Sequence, residues 1–290
     1  MNAVRMIMIE SPALLEFRGP DALRFLNGQL TQDVKRVAGG KIALPACVTD
    51  AKGKLQFRVW ITESPDGTLW VEGPAGCAEA LEARLTRYLI ADDVEVADLT
   101  GNYRLVHLIG ADAAPPTGVF ARESKRFGVD GTDWWSPAGS GFHLPEGITH
   151  LHGDELEDFR IANGVPLWGR ELTEGILPPE AGLDATDISY HKGCYIGQEV
   201  ISRIKFVGKL NKRLVRLEFD AALPISDLRL VDADGLDAGS LTSISPLPRG
   251  AVRAALGYLK RGVEQVFVQT PDGSRHAAGL PVNASHKGMA

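Results

Sequence analysis

The feature that most limits how this 290-residue chain folds is a series of short segments in which apolar and polar residues alternate. Turn-forming residues separate these segments, and helical patterns interrupt the series. Residues 42–60 contain two predicted strands on either side of the turn from Asp50 to Lys54. Apolar residues between Cys77 and Ile90 instead recur at helical spacing. Hairpins covered by a few helices are typical of an α+β protein and not of a doubly wound parallel sheet. The sequence therefore predicts the α+β class.

The chain changes character after Leu210. From there to the end, short alternating runs are separated by Gly, Pro and Asp turns, which is typical of a small antiparallel barrel or sandwich. We therefore expect an N-terminal region at 1–209 and a C-terminal β-barrel at 210–290.

Composition excludes several classes of protein. The net charge of −6 argues against a general binder of polyanions. Three cysteines without a CxxC pair predict reduced thiols in a cytoplasmic protein, with neither a disulfide framework nor a metal site. No stretch approaches the ~18 apolar residues of a membrane span, and the apolar run at 6–9 is too short for a signal peptide. We therefore expect no membrane partner.

The most informative local pattern surrounds Cys194. Glycines at 193 and 197 allow a sharp turn with an accessible backbone, and a helix is predicted directly after them. A nearby cation and free backbone N–H groups both favour a thiolate, so Cys194 and Lys192 are the candidate catalytic residues. The alternative is a small buried cysteine at a tight turn. The supporting motif residues are Gly193, Tyr195, Gly197, Gln198, Glu199 and Arg203.

A second candidate site follows the first predicted helix. Its amides, hydroxyl and carboxylate offer both donors and acceptors, which suits a heteroaromatic ligand, although they equally fit a polar helix end. These residues are Asn27, Gln29, Thr31 and Asp33.

The third candidate is a basic run from Arg203 to Arg216 that contains no acidic residue. Such a run is most often a solvated face. In an acidic protein it also suits an anion, such as a polyglutamate tail or an RNA backbone, so a weak RNA contact is one interpretation.

Taken together, these segments resemble the folate-binding YgfZ-type proteins, relatives of the glycine-cleavage T-protein, an aminomethyltransferase. The most specific element is the segment from Lys192 to Glu199 with Arg203 following, and four further segments occur in family order. They are Phe25 to Val34, Asp50 to Lys54, Arg160 to Pro166 and Leu177 to Glu180.

The resemblance implies a T-protein-like fold, with two α+β units around a central channel plus the C-terminal antiparallel β-barrel. The second of these units is expected at roughly 45–115. Tetrahydrofolate is the implied cofactor, with Arg160 among its ligands. The implied role is in iron–sulfur cluster assembly or repair, with assembly or client proteins as partners and an indirect effect on tRNA modification.

Two departures from the transferase pattern leave open whether the protein is an enzyme. No carboxylate occurs at 54–58, where the transferase has an acidic residue, and Ala162 stands where it has a Glu. Without these carboxylates, the transferase reaction would lose a charged partner for the amine and an anchor for the pterin. The transferase also lacks the cysteine, so the resemblance implies that the chemistry has moved to Cys194. A folate-dependent one-carbon transferase (aminomethyl or methyl) and an RNA-binding regulator are the alternatives.

Overall fold

The computed structural model describes residues 4–110, 114–140 and 147–280. The helices are α1 (Ala22–Gln29), α2 (Ala78–Thr86), α3 (Gly153–Ala162) and α4 (Gln198–Val207). The strands are β1 (Arg5–Ile9), β2 (Ala13–Arg18), β3 (Ala43–Thr49), β4 (Leu55–Glu63), β5 (Leu69–Gly73), β6 (Glu95–Asp98), β7 (Tyr103–Ile109), β8 (Phe120–Ser124), β9 (Gly131–Pro137), β10 (Thr149–His150), β11 (Lys212–Asp220), β12 (Arg229–Val231), β13 (Asp237–Ile244), β14 (Val252–Lys260), β15 (Val266–Gln269) and β16 (Arg275–Ala278). Short 3-10 helices occupy Val34–Val37, Pro178–Ala181 and Leu183–Ala185.

The chain forms two compact units. One contains 1–152 and 172–208, and the other contains 153–171 and 209–290. The predicted regions at 1–209 and 210–290 include residues 1–3 and 281–290, which lie outside the described residues.

Two five-stranded sheets build the first unit. One has the strand order β3-β4-β5-β2-β6 and the other β10-β1-β7-β9-β8. All pairs in them are antiparallel except β1 with β10. Side chains of β4 alternate between buried and half-buried, as expected for a strand with one covered face.

The two sheets of the first unit share a hydrophobic core. Leu14, Trp70, Leu105 and Trp135 pack together and are almost completely buried. The rings of Trp70 and Trp135 meet edge to face with centroids 5.6 Å apart, a favoured geometry for an aromatic pair.

A buried ionic network also joins these two sheets. Arg126 donates to Glu72 on β5 and to Asp133 on β9, and His107 Nδ1 lies 2.8 Å from Asp133 Oδ1. Burial raises the pKa of Asp133, but Arg126 and His107 outweigh this effect and the net pKa is lowered. The carboxylate of Asp133 is therefore ionised and paired inside the first unit.

The second unit is a six-stranded antiparallel sheet with the order β11-β14-β13-β12-β15-β16. Glu218 on β11 exchanges two backbone hydrogen bonds with Gly279, just after β16. Helix α3 packs on this sheet through Ile161, which contacts Ala254 and Leu256 on β14. The predicted α+β class is confirmed, whereas a closed barrel and a central channel remain predictions.

Within the described ranges, no helix combines the length and the apolar character needed to cross a membrane.

Candidate functional site

Cys194 is exposed at the surface of the first unit, in a loop that ends where α4 begins. The other two cysteines differ from it, because Cys47 is buried and Cys77 is half-buried. Burial raises the pKa of the Cys47 thiol well above its ordinary value, which makes Cys47 a poor nucleophile. Of the three thiols, only that of Cys194 is freely presented to a reagent or a partner.

The two glycines of the motif have different roles. Gly197 has φ +87° and caps α4, and a Cβ there would lie 2.5 Å from the carbonyl oxygen of Asp50. A side chain is therefore excluded at 197 by both backbone conformation and space. Gly193 is exposed, and a Cβ there would meet no atom within 4 Å. The structure requires glycine at 197 and not at 193.

Strand β3 and helix α1 hold the loop by its backbone. Thr49 Oγ1 donates to the carbonyl oxygen of Ile196 at 2.6 Å, and the Ile196 N–H donates to Gly28 O at 3.3 Å. Gly53 lies against the same region, since a Cβ there would come within 3.2 Å of Ile201 and Val200. The two hydrogen bonds fix Ile196, the residue that follows Tyr195, between β3 and α1.

Lys192 anchors the other side of the loop. Its Nζ donates to the carbonyl oxygens of Asn27 at 2.5 Å, Leu30 at 2.6 Å and Gln32 at 2.8 Å. Carbonyls at a helix C-terminus carry partial negative charge and attract a cation. Burial lowers the pKa of Lys192 to about 8, although Asp33 opposes this shift. These three bonds account for all three ammonium protons, so the expected effect of Lys192 on the Cys194 thiol stays a prediction.

Tyr195 faces the interior while its neighbour Cys194 faces outward. It packs with Ile188 and Ile201, and its ring lies 5.2 Å from Lys192 Nζ. Burial raises the pKa of Tyr195, so the phenol stays neutral. The buried side chain of Tyr195 therefore anchors the loop in the hydrophobic core.

A buried ion pair stabilises the segment that precedes the same loop. Arg58 on β4 donates from Nε to Asp187 Oδ2 at 2.7 Å, and the Asp187 side chain is fully buried. The carbonyl oxygen of Asp187 in turn accepts from Thr31 Oγ1 at 2.6 Å. The Ser189 N–H donates to Thr31 O at 3.0 Å. The segment that leads into the Cys194 loop is thus tied to both β4 and the residues after α1.

The remaining motif residues lie on α4. Gln198 is half-buried and its N–H donates to Tyr195 O at 3.2 Å. Glu199 and Arg203 are exposed. All predicted residues from Lys192 to Arg203 therefore form one continuous surface segment with a buried anchor.

The structure places Asn27 and Gln29 in the last turn of α1 and Thr31 and Asp33 just after it. These four expected folate ligands differ in their free hydrogen-bonding groups. Thr31 Oγ1 is used, because it donates to Asp187 O and accepts from Cys47 N. Asn27 and Gln29 use their amide oxygens, for Val34 N and Arg84 respectively, and in the described part of the chain their amide nitrogens have no partner. One carboxylate oxygen of Asp33 accepts from Lys35 N. Two amide nitrogens and the second carboxylate oxygen of Asp33 are thus available, which fits a ligand with both donors and acceptors, as a pterin has.

Arg160 lies in the second unit and its guanidinium is fully engaged there. It donates to Glu157, Glu171, Ser243 Oγ and the carbonyl oxygen of Val165. Because all five N–H groups have partners, Arg160 binds a further ligand only if one of these bonds is exchanged.

Of the four supporting residues, Thr49, Arg58 and Arg84 have no strong signal in the sequence. Thr49 and Arg58 are ordinary strand residues, and only Gly53 belongs to a turn that local composition marks. Arg84 on α2 donates to the carbonyl oxygen of Thr49 at 2.6 Å, which buttresses the residue that holds Ile196. Contacts between residues so far apart in sequence become visible only in the folded chain.

In the described residues, no cluster of three or more His, Cys, Asp or Glu side chains has the arrangement of a metal site.

Comparison with solved structures gives the class of the fold. The crystal structure of glycine cleavage system aminomethyltransferase T from Bartonella henselae superposes with a TM-score of 0.79 and 19% identity, covering 96% of this chain and 85% of that chain. The protein therefore has the aminomethyltransferase T fold.

Sequence comparison then gives the family. The chain is 30% identical over 247 residues to an uncharacterized protein of Haemophilus influenzae, which covers 79% of this chain and 80% of that protein. The chain belongs to the same family as this protein. It is also 26% identical over 291 residues to an Arabidopsis thaliana protein named "Putative transferase At1g60990, chloroplastic", and it spans 66% of the length of that relative. No family model matches the chain.

Proposed function

We propose that this protein is a tetrahydrofolate-binding accessory protein of the YgfZ type, which acts in iron–sulfur cluster assembly or repair with Cys194 as its working thiol. The observation that supports this proposal best is the contrast between an exposed thiol and its immobilised surroundings. Cys194 is exposed, while Tyr195 beside it is buried and Ile196 is bonded to Thr49 and Gly28. A reactive group held on a rigid support is typical of a functional site.

The absence of the transferase carboxylates favours this role over aminomethyl transfer. In the segment 54–58, Gln56 points its amide oxygen at Arg84, and Arg58 pairs with Asp187. Ala162 is buried on α3. Neither 54–58 nor position 162 therefore supplies the carboxylate that stands there in the transferase.

Folate binding remains part of the proposal through residues in the last turn of α1 and just after it. The free amide nitrogens of Asn27 and Gln29 and the second carboxylate oxygen of Asp33 would hold the pterin. Bound tetrahydrofolate supplies a carrier for one-carbon units. Thr31 keeps a structural role here, because it already joins Cys47 to Asp187.

One cysteine does not hold a cluster alone, since clusters typically need about four ligands. Any cluster contact of Cys194 is therefore shared with a partner, and the protein acts on client proteins. An effect on tRNA modification would follow indirectly, through cluster-containing modification enzymes.

The test is complementation of cluster-enzyme activity in cells that lack this protein. Wild type is compared with Cys194→Ala and with Cys77→Ala as the matched control. We expect a folded Cys194→Ala protein to fail and Cys77→Ala to rescue. Full rescue by Cys194→Ala would show that the thiol is not needed. Binding of tetrahydrofolate to the purified variants, measured by calorimetry, separates loss of folate from loss of the thiol.

A folate-dependent one-carbon transferase is the second candidate, favoured by the fold and by the name of the Arabidopsis relative. Incubation with a methylene- or methyl-tetrahydrofolate donor distinguishes it. Turnover of the donor that depends on Cys194 supports the transferase, and binding without turnover supports the accessory role.

A further inference from the structure

Helix α4 leaves most of its surface uncovered. Ile201 is its one fully buried residue, whereas Phe206 is 84% exposed and Val207 is 56% exposed. Helices in proteins gain most of their stability from packing an apolar face against other elements. The apolar surface of Phe206 and Val207 instead faces solvent. Phe206 and Val207, next to each other at the end of α4, therefore form an apolar anchor point that no element of the described residues covers.

Cationic side chains flank this anchor point. Arg203 and Lys205 are exposed, and within the described residues neither forms an ion pair. Glu199, one turn before Arg203, is not paired with it. Lys205 Nζ lies over the Tyr190 ring at 4.9 Å and has no carboxylate partner in the described ranges. We call Arg203, Lys205, Phe206 and Val207 the α4 patch.

The α4 patch and the exposed thiol share one continuous segment. Cys194 lies four residues before the first residue of α4, and its loop is bonded to the sheet through Ile196. A partner seated on the patch is thereby held at a fixed distance from the thiol. Pre-organised placement of this kind raises the effective concentration of a reacting group.

We propose that the α4 patch docks an acidic protein segment with one apolar anchor, and so presents a client protein to Cys194. This inference rests on the proposed function and names the class of its partner. An aromatic anchor flanked by Arg is the usual centre of a protein interface. Single-stranded RNA instead needs successive aromatic platforms, and α4 offers one. The positive patch in a chain of net charge −6 favours an acidic partner.

The test compares Phe206→Glu with Ile90→Glu in the complementation assay. Ile90 is 90% exposed elsewhere in the same unit, so it controls for a charge placed on an exposed apolar site. We expect Phe206→Glu to lower cluster-enzyme activity at least tenfold and Ile90→Glu to leave it unchanged. The rate of Cys194 alkylation by iodoacetamide is expected to match wild type in both variants, which shows that the loop is intact.

A photo-crosslinking residue placed at 206, and at 90 as control, identifies the occupant in the same cells. The proposal expects 206-specific crosslinks that map to an acidic segment of a cluster-containing protein. Crosslinks from 206 to RNA, no 206-specific protein crosslink, or full rescue by Phe206→Glu would each overturn it. If Cys194→Ala also rescues, the proposed function itself fails. If only Phe206→Glu rescues, the docking site alone fails.

Discussion

Thr49 Oγ1 donates a 2.6 Å hydrogen bond to the carbonyl oxygen of Ile196, 147 positions further along the chain. This bond ties the last residue of β3 to the loop that presents Cys194. Arg84 holds the carbonyl oxygen of Thr49 at 2.6 Å, so both backbone and side chain of Thr49 are fixed. The exposed thiol is therefore positioned by groups that lie far from it in sequence.

Replacement of Thr49 by Val tests this bond. The substitution preserves shape but leaves the Ile196 carbonyl without its donor, and we expect a loss of about 1–3 kcal/mol in the free energy of unfolding. Amide hydrogen exchange at 194–197 should accelerate. Thr62→Val is the control, because buried Thr62 donates to Ile42 O at 3.0 Å on the same sheet. Unchanged exchange at 194–197 in Thr49→Val would contradict the prediction.

The two motif glycines give a matched pair of alanine variants. Gly197→Ala places a Cβ 2.5 Å from Asp50 O at a residue with φ +87°, so we expect it to destabilise the protein by more than about 1 kcal/mol. Gly193→Ala meets no atom within 4 Å, and we expect a change within about 0.5 kcal/mol. Urea unfolding measures both. Equal effects at the two positions would show that the cap geometry at 197 is unimportant.

Lys192 should titrate at an unusually low pH. Its folded-state pKa of about 8 lies below the value of about 10.4 for a free lysine, so the unfolded chain binds more protons between these values. The contribution of Lys192 to the free energy of unfolding therefore rises with pH from about 8 to about 10. NMR of labelled lysine side chains follows this titration, and Lys192→Met assigns the signal. A midpoint at 10 or above would disprove the lowered pKa.

The ion pair of Arg58 with Asp187 should matter more than an ion pair at the surface. Arg58→Met leaves a fully buried carboxylate without its cation, which costs about 3–5 kcal/mol. Arg24→Met removes the exposed partner of Asp92, and we expect a loss of no more than about 1 kcal/mol. Urea unfolding of the two variants compares them directly. Similar losses would mean that Asp187 finds another partner or water.

Local patterns in the sequence predicted most secondary structure of the described residues. The turn at Asp50 to Lys54 does join two strands, β3 and β4, and the pattern after Gly197 does form α4. The alternating runs after Leu210 became strands of one antiparallel sheet. These features depend on neighbours in the chain, where side-chain alternation and turn residues act directly.

Interactions between distant residues could not be predicted in the same way. Nothing near Lys192 in sequence indicates that its ammonium binds three carbonyls at 27–32, and nothing near Thr49 indicates that its hydroxyl holds Ile196. Arg160 is a similar case, because its partners Glu171 and Ser243 are brought together only when α3 packs on its sheet.

The sequence by itself determined the α+β class, the position of the Cys194 motif and the resemblance that names a cofactor and a role. Only the tertiary structure decided that Cys194 is exposed, that Gly197 and not Gly193 is required, and that Lys192 is an anchor to α1. The physical reason is that local backbone preferences act over a few residues. Burial and hydrogen-bond partnership instead depend on which distant segments the fold brings into contact.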